Sequence, residues 1–190
     1  MTVRDSSPME IRRQMVRELE AVFTAVKEED AEALTQAILD SSRLFCYGVG
    51  REGLVMKSFC MRLMHLGLDA HVVGDMTAPP IGQRDLLLVS AGPGFFHTVS
   101  ALVDVAKAHN ARVALMTANL DSPLRARADV VVHIPGQTMA ENVAAEASIQ
   151  PMGSLYEQAM WLFFDYVVLK LAERTGQSFA DLAQRHTNLE

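Results

Sequence analysis

Apolar residues run without a break at 86–89 (Leu-Leu-Leu-Val), and the pattern then changes abruptly. A short unbroken run of this kind is what a buried parallel strand needs. Gly92 and Gly94 flank Pro93 in a tight turn, after which Val99, Leu102, Val103 and Ala106 recur on one helical face. Strand, glycine turn and helix is the layout in which open parallel sheets hold a ligand outside the carboxyl ends of their strands. The same alternation extends along the chain. Ile11, Met15, Leu19, Val22, Phe23 and Val26 predict a helix from Met9, and Asp30 predicts the cap of a second one carrying Leu34, Ala37 and Ile38. Strands are predicted at 43–47, 71–73, 86–89, 112–116 and 130–133. Between and after them come helices at 53–66, from the glycine turn to about 109, and at 155–172, with a last short one from Ser178 or Asp181. The 53–66 helix is expected to bury Leu54, Val55, Phe59, Leu63 and Leu66, and 134–151 reads as irregular. The expected architecture is a doubly wound α/β sandwich, with a parallel sheet between helices and right-handed crossovers. It forms a single domain over 1–190 with an N-terminal helical segment at about 9–40.

The stretch 155–169 is apolar nearly all round, from Leu155 through Trp161 and Phe163 to Leu169. Such a helix needs cover on more than one side. In a chain of 190 residues the expected cover is a second subunit, so a homo-oligomer is predicted from the pattern alone. An apolar content of 49% excludes a disordered chain. A net charge of -6 argues against nucleic acid or an anionic membrane as partner. Cys46 and Cys60 lie in apolar surroundings and read as reduced core residues. Arg4, Asp5 and Glu10 predict that the start is no signal peptide, and no apolar run has the length of a membrane span. A cytoplasmic location is the resulting expectation.

Gly48, Gly50 and Gly53 match G-x-G-x-x-G after a strand, yet the acidic residue expected after the second strand is missing, Asp75 being the nearest. The preferred reading is a tight strand-to-helix turn, not a nicotinamide site. His65 lies between Met64 and Leu66 near the end of the first crossover helix. Its ring titrates near neutrality, and it reads equally as a core or interface histidine. Glu157 opens the apolar helix, where the dipole favours a carboxylate. The two carry chemistry only if the fold brings them together.

Four stretches carry a resemblance: Gly-Val-Gly-Arg-Glu-Gly-Leu-Val-Met-Lys at 48–57, Met-Arg-Leu-Met-His-Leu-Gly at 61–67, Ser-Ile-Gln-Pro-Met-Gly-Ser-Leu-Tyr-Glu-Gln at 148–158, and Arg-His-Thr-Asn-Leu-Glu at 185–190. From about residue 9 onward the chain resembles the 6-phospho-3-hexuloisomerases, a branch of the SIS (sugar isomerase) domain family. The resemblance implies a five-stranded parallel sheet of Rossmann-like or flavodoxin-like kind. It implies a tetramer, with a dimer as the alternative, and no metal or organic cofactor. The implied reaction converts a 3-hexulose 6-phosphate to fructose 6-phosphate through an enediol. His65 and Glu157 are the implied base and acid, in either order and from one subunit or two. Gly48, Gly50, Arg51, Gln150 and His186 are implied substrate contacts.

The resemblance breaks at the glycine turn. Family members carry Ser-Gly-Ser-Gly-Glu-Thr there, whose hydroxyls and amides cradle the substrate phosphate, whereas this chain has Ala91-Gly92-Pro93-Gly94-Phe95-Phe96. Pro93 also removes an amide donor. Glu52 replaces a further family serine and is expected to face the same pocket, repelling a phosphate by about 1–4 kcal/mol. Ser90, Thr98, Arg51 and Lys57 remain as groups that could hold an anion. Phe95 and Phe96 offer apolar faces that suit the C–H face of an unphosphorylated sugar. The expected function is a sugar or sugar-phosphate isomerase with an altered substrate. The alternative is a non-catalytic SIS module that binds or senses a carbohydrate derivative.

Overall fold

The computed structural model describes residues 6–141 and 148–189. Part of the irregular connection expected at 134–151 thus lies outside the described residues. Two N-terminal helices, α1 (Pro8–Ala25) and α2 (Glu28–Leu39), precede the alternating units. These run β1 (Leu44–Tyr47), α3 (Gly50–His65), β2 (Ala70–Val72), β3 (Leu86–Ser90), α4 (His97–Ala108), β4 (Arg112–Thr117) and β5 (Val130–His133). Helices α5 (Ser154–Thr175) and α6 (Phe179–Gln184) follow. The five strands pair in parallel in the order β2-β1-β3-β4-β5, with Leu44 opposite Ala70 and Leu86, and Leu86 opposite Arg112.

Alternate strand residues serve two apolar layers, as the strand period of two requires. Leu44, Cys46, Leu86, Leu88, Ala114 and Met116 pack with α2, α3 and α5. Phe45, Leu87, Val89, Val113 and Leu115 pack with α4 through Val99, Val103 and Ala106. Strand β3 is buried from end to end. Both cysteines are free and buried. Among the described residues, no helix is long and apolar enough to cross a membrane.

Three expectations are corrected. Lys27, not Asp30, stands at the α2 N-cap; the Asp30 carboxylate instead accepts the His133 amide at 3.0 Å and ties α2 to β5. Helix α3 starts at Gly50, and Leu54 is 62% exposed instead of buried. Most of the apolar surface of α5 is covered within the chain, by α1, α2 and α3. Trp161, Leu162 and Leu169 remain exposed on it.

The glycines of the first turn have a packing role. A Cβ on Gly53 would lie 2.5 Å from the Gly48 carbonyl oxygen, and one on Gly48 would lie 2.9 Å from the Gly53 nitrogen. Only glycine permits this approach of strand end to helix start.

Candidate active site

The connections from β1 and β3 leave in opposite directions, β1 through α3 to β2 and β3 through α4 to β4. A crevice opens outside the carboxyl ends of strands at such a switch point. Two turns meet there: 48–50 between β1 and α3, and 91–96 between β3 and α4. The first turn of α5 closes the third side. Its approach needs Gly136, where a Cβ would fall 2.7 Å from the Tyr156 Cα, and Gly153, which has φ +81. The resulting cavity holds about 290 Å³ and is lined by Gly50, Arg51, Glu52, Phe96, Thr138, Met152, Tyr156 and Glu157, among others.

Glu157 is buried, and its Oε2 lies 2.9 Å from Arg51 Nη1. Arg51 Nη1 also donates a 2.8 Å hydrogen bond to Ser154 Oγ. Glu157 Oε2 has no aligned hydrogen-bond donor, so the Arg51 approach is a charge contact. Burial raises the Glu157 carboxyl above the ordinary carboxylate value, and the Arg51 charge opposes that rise only in part. A carboxyl raised by burial and aimed into a crevice has the setting of a general acid or base.

Glu52 does not present a free charge to the cavity, which corrects the expectation of bare repulsion. It is 7% exposed. Its Oε2 accepts hydrogen bonds from Ser90 Oγ at 2.5 Å and from the Gly92 amide at 3.0 Å. Ser90 Oγ is also 3.1 Å from the hydroxyl of fully buried Tyr156. Burial raises the Glu52 carboxyl above its ordinary value, with the Glu157 charge adding to the rise and the two hydrogen bonds opposing it. Burial likewise pushes the Tyr156 phenol well up.

The remaining candidates are dispersed. Phe96 lines the cavity, while Phe95 is 39% exposed and packs edge-on against His97. Thr98 and Lys57 point to solvent on α4 and α3. Gly94, at φ +100, sits against Asn119. Gln150 is buried but acts as a latch, donating to Glu18 of α1 at 3.3 Å and accepting from Gln158 at 2.7 Å. His65 is buried at the far end of α3, where it stacks on His186 and its ring nitrogen lies 3.2 Å from Arg62 Nη1. Arg51 and His65 lie at opposite ends of α3, and at 1.5 Å per residue this places them about 20 Å apart. One chain therefore brings together Arg51, Glu52, Ser90, Gly92 and Glu157, but not His65 or His186. Sequence reasoning missed Ser154, Thr138, Met152 and Tyr156. Ser154 and Tyr156 lie inside the quoted 148–158 motif, one residue to either side of Leu155, and were hidden by the apolar run that follows.

The model of the SIS domain matches residues 37–162. The chain belongs to the SIS domain family. It is 37% identical to the 3-hexulose-6-phosphate isomerase of Bacillus subtilis (strain 168) over 93% of this chain and 96% of that protein. It is 40% identical to the 3-hexulose-6-phosphate isomerase of Mycobacterium gastri, over 90% of this chain and 86% of that one. A Methanococcus jannaschii protein, whose crystal structure is described as inferring a function of 3-hexulose-6-phosphate isomerase, superposes with a TM-score of 0.78 at 25% identity. That superposition covers 96% of this chain and 98% of the other. The likeness spans each relative nearly end to end and places the chain in the hexuloisomerase branch of the SIS family.

Proposed function

We propose that this protein is an isomerase of the 3-hexulose-6-phosphate isomerase kind, moving the carbonyl of a sugar or sugar phosphate by one carbon through an enediol. The observation that carries this is the buried Glu157 carboxyl beside Arg51 in the switch-point crevice, in a chain similar over its length to named isomerases. Glu157 in its carboxylate form takes the proton from the carbon next to the carbonyl and returns it to the neighbouring carbon. The Arg51 guanidinium is positioned to stabilise the negative charge that develops on the enediol oxygen. His65 of a second copy completes the site by moving the proton between the two oxygens. A second apolar groove of about 330 Å³, lined by Leu54, Trp161 and Leu162, adjoins Arg51 and Glu157 and supports such an assembly, a homotetramer. The free thiols of Cys46 and Cys60 suit a reducing, cytoplasmic compartment. The non-catalytic alternative has less support, because a binding module does not need a buried carboxyl with raised proton affinity.

Mixing two inactive variants tests the reading. His65→Ala and Glu157→Gln should each abolish exchange of substrate C–H for deuterium from heavy water. Co-refolded subunits should recover about a quarter of the sites if each site spans a two-fold interface. Two active single variants would refute the proposal, and a mixture as dead as its components would refute the shared site.

A further inference from the structure

Between the β1 and β3 turns lies a place suited to an anion, and a side chain already fills it. At the switch point an incoming anion would meet the amides of the glycine turn after β3 and the hydroxyl at the end of that strand. Here the Ser90 hydroxyl and the Gly92 amide both donate to a single oxygen, Oε2 of Glu52. No other amide from Ala91 to Gly94 is available. Ala91 donates to the Met116 carbonyl at 3.0 Å, Gly94 donates to the Ala91 carbonyl at 2.8 Å, and Pro93 has no N–H.

There is also no space at Gly92 itself. A Cβ on Gly92 would lie 2.8 Å from the Tyr156 ring and 3.0 Å from Glu52 Oε1, so carboxylate and phenol ring are packed against it. The charges agree with the geometry. Arg51 is the one cation among the described residues that line the cavity, and Glu157 already pairs with it. A dianionic phosphate would have to compete with Glu157 for that arginine. Phe96 instead offers the cavity an aromatic face, against which sugar C–H groups pack.

We propose that Glu52 is the resident occupant of the anion seat between the β1 and β3 turns, and that the sugar isomerised here enters that seat with no phosphate. Glu52 is thereby the specificity-determining residue, and the substrate class is an unphosphorylated ketose. This assignment rests on the isomerase function proposed above, and the test separates the two.

Calorimetry measures binding of inorganic phosphate, fructose 6-phosphate and allulose 6-phosphate to wild type, Glu52→Gln and Glu52→Ser. NMR in heavy water measures exchange into fructose, allulose and their 6-phosphates. Wild type should bind neither phosphate nor the phosphosugars below millimolar concentration and should label an unphosphorylated ketose. Glu52→Ser empties the seat and should gain about a hundredfold in phosphosugar affinity, the size of two recovered charged hydrogen bonds. Glu52→Gln keeps the seat filled and should gain less than tenfold. If Glu52→Ser fails to fold, the wild-type titrations still decide. Micromolar binding of fructose 6-phosphate by wild type overturns the assignment of Glu52, and exchange into that ligand would leave the isomerase function standing. No exchange into any of the sugars, with the gain in Glu52→Ser intact, overturns the isomerase function and keeps the assignment. No gain in a folded Glu52→Ser overturns the assignment.

Discussion

Removing the Glu52 carboxyl should cost stability in a way that pH resolves. In Glu52→Ala the Gly92 amide loses its partner and Ser90 keeps only Tyr156. Each orphaned buried group costs about 1–3 kcal/mol, so the loss is about 2–4 kcal/mol once the Tyr156 contact is credited. For a chain of this size, Tm should fall by about 4–16 °C. Glu52→Gln retains an acceptor oxygen and separates charge from hydrogen bonding. The Glu52 carboxyl is raised in the folded state, chiefly by burial. The folded state therefore holds this proton more tightly than the unfolded state does. Its stabilising contribution is complete below the ordinary carboxylate value of about 4.5 and falls as pH rises through the raised folded value. Above that window it is level. Urea denaturation of both proteins across a pH series, at fixed protein concentration, gives the difference free of the other carboxylates. Stability of wild type relative to Glu52→Gln should decline with rising pH across the window. A difference that climbs with pH would mean that the ionised carboxylate is the favoured folded form, and would refute the reasoning.

Gly92→Ala should destabilise by about 1–3 kcal/mol, as an overpacked site does, because its Cβ meets Tyr156 and Glu52; thermal melts check this, and an unchanged Tm would show that the turn has slack. The acid limb of the pH–rate profile for C–H exchange should lie above the ordinary carboxylate range, because Glu157 must lose its proton to act as base and burial raises it. A limb at or below about 4.5 would assign that proton transfer to another group.

The strands were legible in the sequence because each is a short apolar run bounded by polar or glycine residues, and β3, buried on both faces, is the clearest. The position of the crevice was legible for the same reason, since two glycine turns follow adjacent strands. The role of Glu52 was not. Its partners lie 38 and 40 residues further on, at Ser90 and Gly92, and no local pattern records that the two turns touch. Leu54 was misplaced because an apolar residue reads as part of the buried face, whereas it lies exposed on α3 beside Trp161 and Leu162 in the second groove. The cover of α5 was misjudged because its apolar surface shows that a partner is needed but not which one, and α1 and α2 fold back to supply it. The separation of His65 from Glu157 follows from the length of α3, which the motif spacing alone does not connect to the position of Glu157.

Glu18 changes what counts as the working unit of this protein. From α1 it accepts hydrogen bonds from Ser148 Oγ at 2.7 Å, the Ile149 amide at 3.2 Å and Gln150 Nε2 at 3.3 Å. Those three residues lead straight into the turn that launches Glu157. The SIS domain match begins at residue 37, so the clasp comes from outside that matched stretch. A helix that lines neither strand ends nor crevice thus holds the segment leading to Glu157, the carboxyl proposed above to move the proton. Trimming the chain to residue 37 would remove α1 and most of α2, taking Ala31 and Leu34 from the core and the Asp30 tie from β5, as well as unmooring the segment that leads to Glu157.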